Sequence, residues 1–252
     1  QINNSGFDFS LSGHIISNKD WFWSMTLTGG HVMDRINNIS TVLKGTEADA
    51  VGSAGDAVMP KLLFTEGGSQ FDIYAVRSAG IDPATGQEIF IKKDGTYTYK
   101  YDEDDRVAVG NSNPVLSGSW INTLRYKGFS LSITTSYTFG ADFYNTTLQS
   151  KVENIDPYKN VDSRAYTERW KNPGDLVRFL AISTTNNQMV NSERFVERRN
   201  ELYVSNVQFT YDFQTKWLNK IGLKRLCLGL GMSDIGYIST VKFERGTSYP
   251  YC

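Results

Sequence analysis

Few side chains in this sequence are suited to nucleophilic or metal chemistry, and their spacing is poor. His14 and His31 are the only histidines. Neither has a second histidine at metal-ligand spacing, so both read as packed or lumen-facing rings. Cys227 falls on the small-residue face of an alternating run and reads as inert, and Cys252 receives no role. The run Asp102-Glu103-Asp104-Asp105 offers oxygen ligands for a hard cation but lacks the spaced Asp/Asn/Gly/Glu pattern of a calcium loop, and reads as a solvated loop. Arg194, Arg198 and Arg199 alternate with Glu193, Glu197 and Glu201, a mixed-charge cluster that reads as surface ion pairing. No GxSxG, HExxH, GxGxxG or phosphate loop occurs. A glycoside hydrolase needs two carboxylates about 5–9.5 Å apart, and the sequence gives no way to pair its many acids. Catalytic, cofactor-binding and metal-ligating residues are therefore expected to be none. The candidate substrate-binding residues are Tyr166 and Trp170, because an aromatic face packs against the apolar face of a pyranose.

The elements that must position these residues read as strands. The chain has 252 residues, of which 40% are hydrophobic and 13% aromatic, with 26 Lys and Arg against 27 Asp and Glu. That balance argues against a nucleic-acid partner, which calls for a basic surplus. Two cysteines cannot make a disulfide framework. No run of about 20 apolar residues marks a membrane helix. Membrane β-strands, however, need only about 9–11 alternating residues.

Residues 129–139 alternate almost perfectly. Phe129, Leu131, Ile133, Tyr137 and Phe139 share one face with Thr135, and Ser and Thr fill the other. At about 3.3 Å per residue this run spans roughly 36 Å, long for a soluble domain and suited to a tilted membrane strand. Residues 6–16, 21–33, 115–126, 203–213 and 223–233 repeat the pattern. Short turns at 17–20, 127–128 and about 214–222 alternate with long connections at about 34–67, 142–192 and 234 onward, and 80–114 is long and polar. Trp21, Trp23, Tyr126, Phe129, Tyr211, Phe213 and Trp217 lie near the short turns, as in an interfacial girdle. Short turns on one side and long loops on the other fit a transmembrane β-barrel. A soluble β-sandwich that binds carbohydrate is the alternative, because its strands alternate in the same way. The runs 70–79 and 87–92, joined by a turn at 82–86, can either cross the membrane or form hairpins above it, since parity allows both.

Some of the wording is more specific than the pattern. Residues 110–131 read GNSNPVLSGSWINTLRYKGFSL, and further matches are GIDPATG at 80–86, RWKNPGD at 169–175, YVSNVQFTYDF at 203–213 and ISTVKFERGTSYP at 238–250. In their order along the chain they resemble the C-terminal barrel region of the SusC/RagA family, TonB-linked outer-membrane transporters of Bacteroidetes-type bacteria. The resemblance implies an all-β fold, with residues 1–252 forming the C-terminal part of a plugged 22-stranded antiparallel barrel that carries long extracellular loops. It further implies that the plug, the TonB box and the final strand, which the family continues after Tyr249-Pro250, lie outside this sequence. The implied function is import of large nutrients, oligosaccharides or peptides, across the cell outer membrane. No bond-breaking chemistry and no cofactor is implied. The implied partners are a SusD-like surface lipoprotein, the TonB complex and outer-membrane lipid. In that setting the cluster at 193–201 has contact with anionic outer-leaflet lipid as a sharper reading. Arg169-Trp170 belongs to the shared wording, which points to fixing a loop or a lid contact more than to recognising one substrate.

Overall fold

The computed structural model describes residues 1–39, 63–155, 161–182, 190–213, 222–224 and 226–241. Six long antiparallel strands form one sheet in the order β1-β2-β7-β8-β9-β10. They are β1 (Ile2–Ser17), β2 (Trp21–Ile36), β7 (Leu116–Tyr126), β8 (Phe129–Tyr144), β9 (Val196–Asp212) and β10 (Cys227–Ser239). Each alternating run of the sequence is thus a strand, and each pairs with the next. The expected turn at 214–222 and Trp217 lie outside the described residues, apart from Gly222, and so do residues 242–250 of the last matched segment and Cys252.

The register aligns the alternation from strand to strand, because residues directly opposite one another share a face. Trp21, Tyr126, Phe129, Tyr211 and Leu228 form one row across five strands. Trp23, Leu124, Leu131, Phe209 and Leu230 form the next, two residues higher. The opposite face carries rows such as His14, Ser24, Thr123, Ser132, Gln208 and Gly231. The first row is the girdle at the short-turn end: Trp21 lies 4.3 Å from Tyr126 and Phe129 4.4 Å from Tyr211, ring centre to ring centre. The apolar face is uncovered. Phe129 is 46% exposed and Leu230 70% exposed. A β-sandwich would lay a second sheet on that face, and no described strand does so.

Between Tyr137 and the neighbouring strands the wall is unusually tight. The row Phe9, Gly29, Gly118, Tyr137 places two glycines between two aromatic rings. The Tyr137 ring lies over the bare backbone of β7 and its hydroxyl donates to the Thr28 carbonyl on β2, 2.8 Å away. A Cβ on Gly118 would fall 1.9 Å from that same carbonyl oxygen, so only glycine lets β2 and β7 approach here.

Several strands run past what alternation reveals. At about 3.3 Å per residue the 16 residues of β8 extend roughly 53 Å, about twice the height of a bilayer's apolar band. The additions, such as Asp34 and Arg35 on β2 and Arg198 to Glu201 on β9, are polar on both faces and give no period of two. They stand at the end away from the short turns.

On those upper ends sits a second sheet, β5-β4-β3-β6, from β3 (Asp72–Ile81), β4 (Glu88–Ile91), β5 (Tyr97–Thr98) and β6 (Arg106–Asn111). Residues 70–101 therefore form hairpins outside the wall and insert no strand between β2 and β7, which pair directly. The described residues of the stretch 142–192 hold more than loop. They contain α1 (Thr146–Leu148), a π-helical turn at Gln149–Glu153 and α2 (Arg164–Thr167). Ile73 and Ala75 of β3 pack with Tyr144, Leu148, Val152, Ala165, Phe179 and Phe195 into the buried core of this upper region. Asn145 fixes the corner: its side chain accepts from Leu148 N–H at 2.8 Å and donates to Glu197 Oε2 at 2.8 Å.

Candidate functional site

The upper region holds the side chains with unusual surroundings. Arg194, on the 3-10 turn before β9, is nearly buried, and one of its nitrogens donates to two carboxylates, Glu88 Oε2 at 2.7 Å and Glu153 Oε1 at 3.0 Å. Glu88 comes from β4 and Glu153 from the π-helical turn, so three separate elements meet in one ion triad. Burial works against the Arg194 charge, but the two carboxylates more than offset it and hold the guanidinium above its usual range. Ser192 Oγ donates to the other oxygen of Glu88. Glu153 Oε2, fully buried, has no hydrogen-bond partner among the described residues.

Arg169 is a second buried guanidinium, 3% exposed, and its role is different. It donates to carbonyls of Ala165 (2.8 Å), Leu180 (3.0 Å), Glu153 (2.8 Å) and Val152. Burial pulls its pKa down, with Glu153 opposing. Five donors in a rigid fork let one arginine tie α2, the π-helical turn and the 180 strand-like segment together, which a lysine cannot do.

Trp170, the next residue, turns outward against the hairpin. Its Nε1 donates to the Pro83 carbonyl at 2.8 Å, and its ring lies so close to Gly86 that a Cβ there would come within 2.5 Å. Gly86 has a φ of +70°, a left-handed conformation that suits glycine. Asp82 completes the turn by accepting from Ala84 N–H, Thr85 Oγ1 and Tyr99 Oη, and these bonds hold its carboxyl below the usual carboxylate range. Tyr166 lies elsewhere on the surface, 67% exposed, with Lys171 Nζ 3.5 Å from its ring centre. The two candidates named from sequence therefore do not share a site: Trp170 fixes a turn and Tyr166 faces solvent.

Between the hairpin and the π-helical turn opens a cleft of about 630 Å³. Phe90, Tyr99 and Tyr101 supply aromatic wall, Glu88, Glu153 and Arg169 line it as well, and Lys100 adds a charge. Phe90 and Tyr101 meet edge to face at 5.5 Å. Sequence reading missed this cleft because its walls come from positions some 60–100 residues apart, each unremarkable alone.

The remaining candidates are placed as follows. His14 lies on the polar face beside the Phe22 ring, and His31 Nδ1 sits 3.0 Å from the Pro114 carbonyl. The acidic run 102–105 is a capped 3-10 turn, Asp102 accepting from Asp104 N–H and Asp105 from Lys93 N–H. Cys227 opens β10 and is exposed. In the 193–201 cluster Arg198 pairs with Asp142 at 3.4 Å near the surface, whereas Arg194 is not a surface residue at all.

No protein-family model matches the chain. Two curated proteins of Formosa agariphila do. TonB-dependent receptor P39 is 22% identical over 93% of this chain and 26% of its own length, and TonB-dependent receptor P3 is 22% identical over 99% and 25%. In sequence the chain is similar to these TonB-dependent receptors. It spans about a quarter of the length of these relatives. In fold it matches a section of the RagAB peptide transporter, with a TM-score of 0.73 and 20% identity over 95% of this chain and 26% of the other. The RagAB peptide importer in its closed-closed state matches with a TM-score of 0.74 at 19% identity over 96% and 26%. The six-stranded sheet is thus part of an antiparallel transmembrane β-barrel wall, its apolar face toward lipid and its Ser/Thr face toward the lumen.

Proposed function

We propose that this chain is wall and extracellular superstructure of a SusC/RagA-type outer-membrane importer of large nutrients, oligosaccharides or peptides. The observation that carries the reading is the one-layer sheet. It has an uncovered, mainly apolar face, an aromatic row at the short-turn end and a folded loop region at the other. Lipid is the solvent that leaves such a face uncovered at low cost. The fold of the RagAB transporter, named for peptide transport, and the sequence of the Formosa receptors support the same reading.

On this reading the plug, the TonB box and the closing strand belong to parts of the protein outside these 252 residues. The upper loops meet substrate and a SusD-like lipoprotein, and the TonB complex acts from the periplasm. The role is transport without catalysis. The test is to fractionate cells that express the complete protein, then delete its gene. The protein should sit in the outer membrane, copurify with a surface lipoprotein, and be required for growth on an oligosaccharide or peptide source. Recovery in the soluble fraction, or unchanged growth on every such source, would sink the proposal.

A further inference from the structure

We propose that the seam between β2 and β7 carries a two-point register lock, made of the Trp23–Asn122 hydrogen bond and the Gly29–Gly118–Tyr137 contact. The need for a lock follows from the pairing. Short turns set the register within β1–β2 and β7–β8, but 79 residues separate β2 from β7, so no turn sets it there. Alternation sets it only in part. A slip of one residue exchanges the lipid and lumen faces, whereas a slip of two leaves every side chain on its own face. A slip of two still changes the stagger of a closed barrel, which is linked to strand tilt and diameter. Something besides alternation has to tell the observed pairing from the slips on either side of it.

Asn122 is the first point. In the lipid-face rows from Trp21 to Gly29 across β2, β7 and β8, the only polar residues other than Trp and Tyr are Asn122 and Thr135, and Thr135 is 6% exposed. Trp23 stands two residues above the girdle row, about 7 Å along the strand and away from interfacial water. Its Nε1 donates across the seam to Asn122 Oδ1 at 3.4 Å, on the diagonal, since Trp23 faces Leu124 and Asn122 faces Met25. Lipid offers neither group another partner. A slip that sets Asn122 opposite Leu27 draws it away from Trp23 and strands both. The opposite slip sets Asn122 directly across from Trp23 and does not part them, so the second point has to oppose it. A Cβ on Gly29 would lie 2.7 Å from Tyr137 Oη, and either slip brings a residue with a Cβ, His31 or Leu27, to face Gly118 at that place. The slip toward Leu27 is thus opposed twice and the other once. The lock presupposes that the sheet is barrel wall and is independent of what the barrel carries.

The experiment expresses the complete protein, free of other cysteines, with cysteine pairs that report register on the lumen face. Thr26→Cys with Ile121→Cys reports the observed pairing, Thr26→Cys with Thr123→Cys the slip toward Leu27, and Thr26→Cys with Ser119→Cys the opposite slip. After oxidation of outer membranes, the first pair should link most chains and the other two few. Asn122→Leu, and separately Trp23→Phe, should raise the 26–123 link about fivefold and leave the 26–119 link unchanged. Gly29→Ala puts the clash into the observed pairing itself and should raise both slipped links. Met25→Leu, in the same row as Asn122, should raise neither. If Asn122→Leu does not reach the membrane, Trp23→Phe carries the test. Slipped links unmoved by the Asn122 and Trp23 variants, or raised by them equally in both directions, would overturn the lock. Failure of the barrel-wall reading shows separately, as absence of the otherwise unaltered chain from the outer-membrane fraction.

Discussion

At the scale of single residues, the upper region depends on charges that have left water. Arg194 holds two buried carboxylates, and its replacement by Ala strands both, a loss on the order of 3–5 kcal/mol. Limited proteolysis should then cut the 142–182 region of the assembled protein while the strands stay resistant. Equal resistance would show that the triad does not hold the region. Asp82 makes a different prediction. Its folded pKa lies below the ordinary value of 3.8, so its contribution to the 82–86 turn is present above that value and is lost as pH falls through the folded pKa. Hydrogen exchange at Ala84 and Gly86 should be flat from neutral pH down to about 4, once corrected for intrinsic rates, and rise below it. A rise already at pH 6 would assign the turn's order to another group. Little of this was legible in the sequence. Glu193 to Glu201 reads as surface ion pairing because six of its nine residues are charged, with both signs interspersed, and Arg194's partners lie 106 and 41 positions away. Trp170 was legible as a residue that fixes a loop, but not what it fixes, since Pro83 is 87 positions off.

At the scale of elements, alternation located all six wall strands because one face of each meets lipid and the other a polar lumen, which imposes a period of two. It ended early wherever a strand left the bilayer, since above it both faces meet polar surroundings and the period disappears. Residues 70–101 had a strand pattern whose place was open by parity. Only the direct pairing of β2 with β7 shows that no strand lies between them. The cleft had no local signal of any kind. The β2–β7 seam offers its own test. Gly118→Ala puts a methyl group 1.9 Å from the Thr28 carbonyl oxygen and should cost about 1–3 kcal/mol. Tyr137→Phe loses one hydrogen bond to that oxygen and should cost about 1 kcal/mol. Urea unfolding of the barrel in detergent, monitored by heat-modifiable mobility, ranks the two. A larger effect for Tyr137→Phe would assign the seam's strength to the hydrogen bond and not to close approach.

At the scale of the whole molecule, the wall separates two solvents one residue apart. Ile133 lies in a row with Met25, Asn122, Val207 and Met232 on the lipid face, and its neighbour Ser132 lies on the Ser/Thr face. Ile133→Arg should cost about 2–4 kcal/mol and lower the assembled fraction, while Ser132→Arg should cost far less. The measurement is the share of heat-modifiable protein in outer membranes, and equal losses would contradict the assignment of faces. The pairing pattern also bears on how the wall comes together in time. Turns at 18–20 and 127–128 close β1–β2 and β7–β8 locally, whereas the β2–β7 seam joins residues 91 apart, such as Thr28 and Ser119. Local closure is fast and distant closure is slow, because a longer loop must surrender more entropy before a contact rewards it. Hairpins are therefore the early species. The seam that Tyr137 and Gly118 tighten is a late step, because 79 residues separate β2 from β7 along the chain.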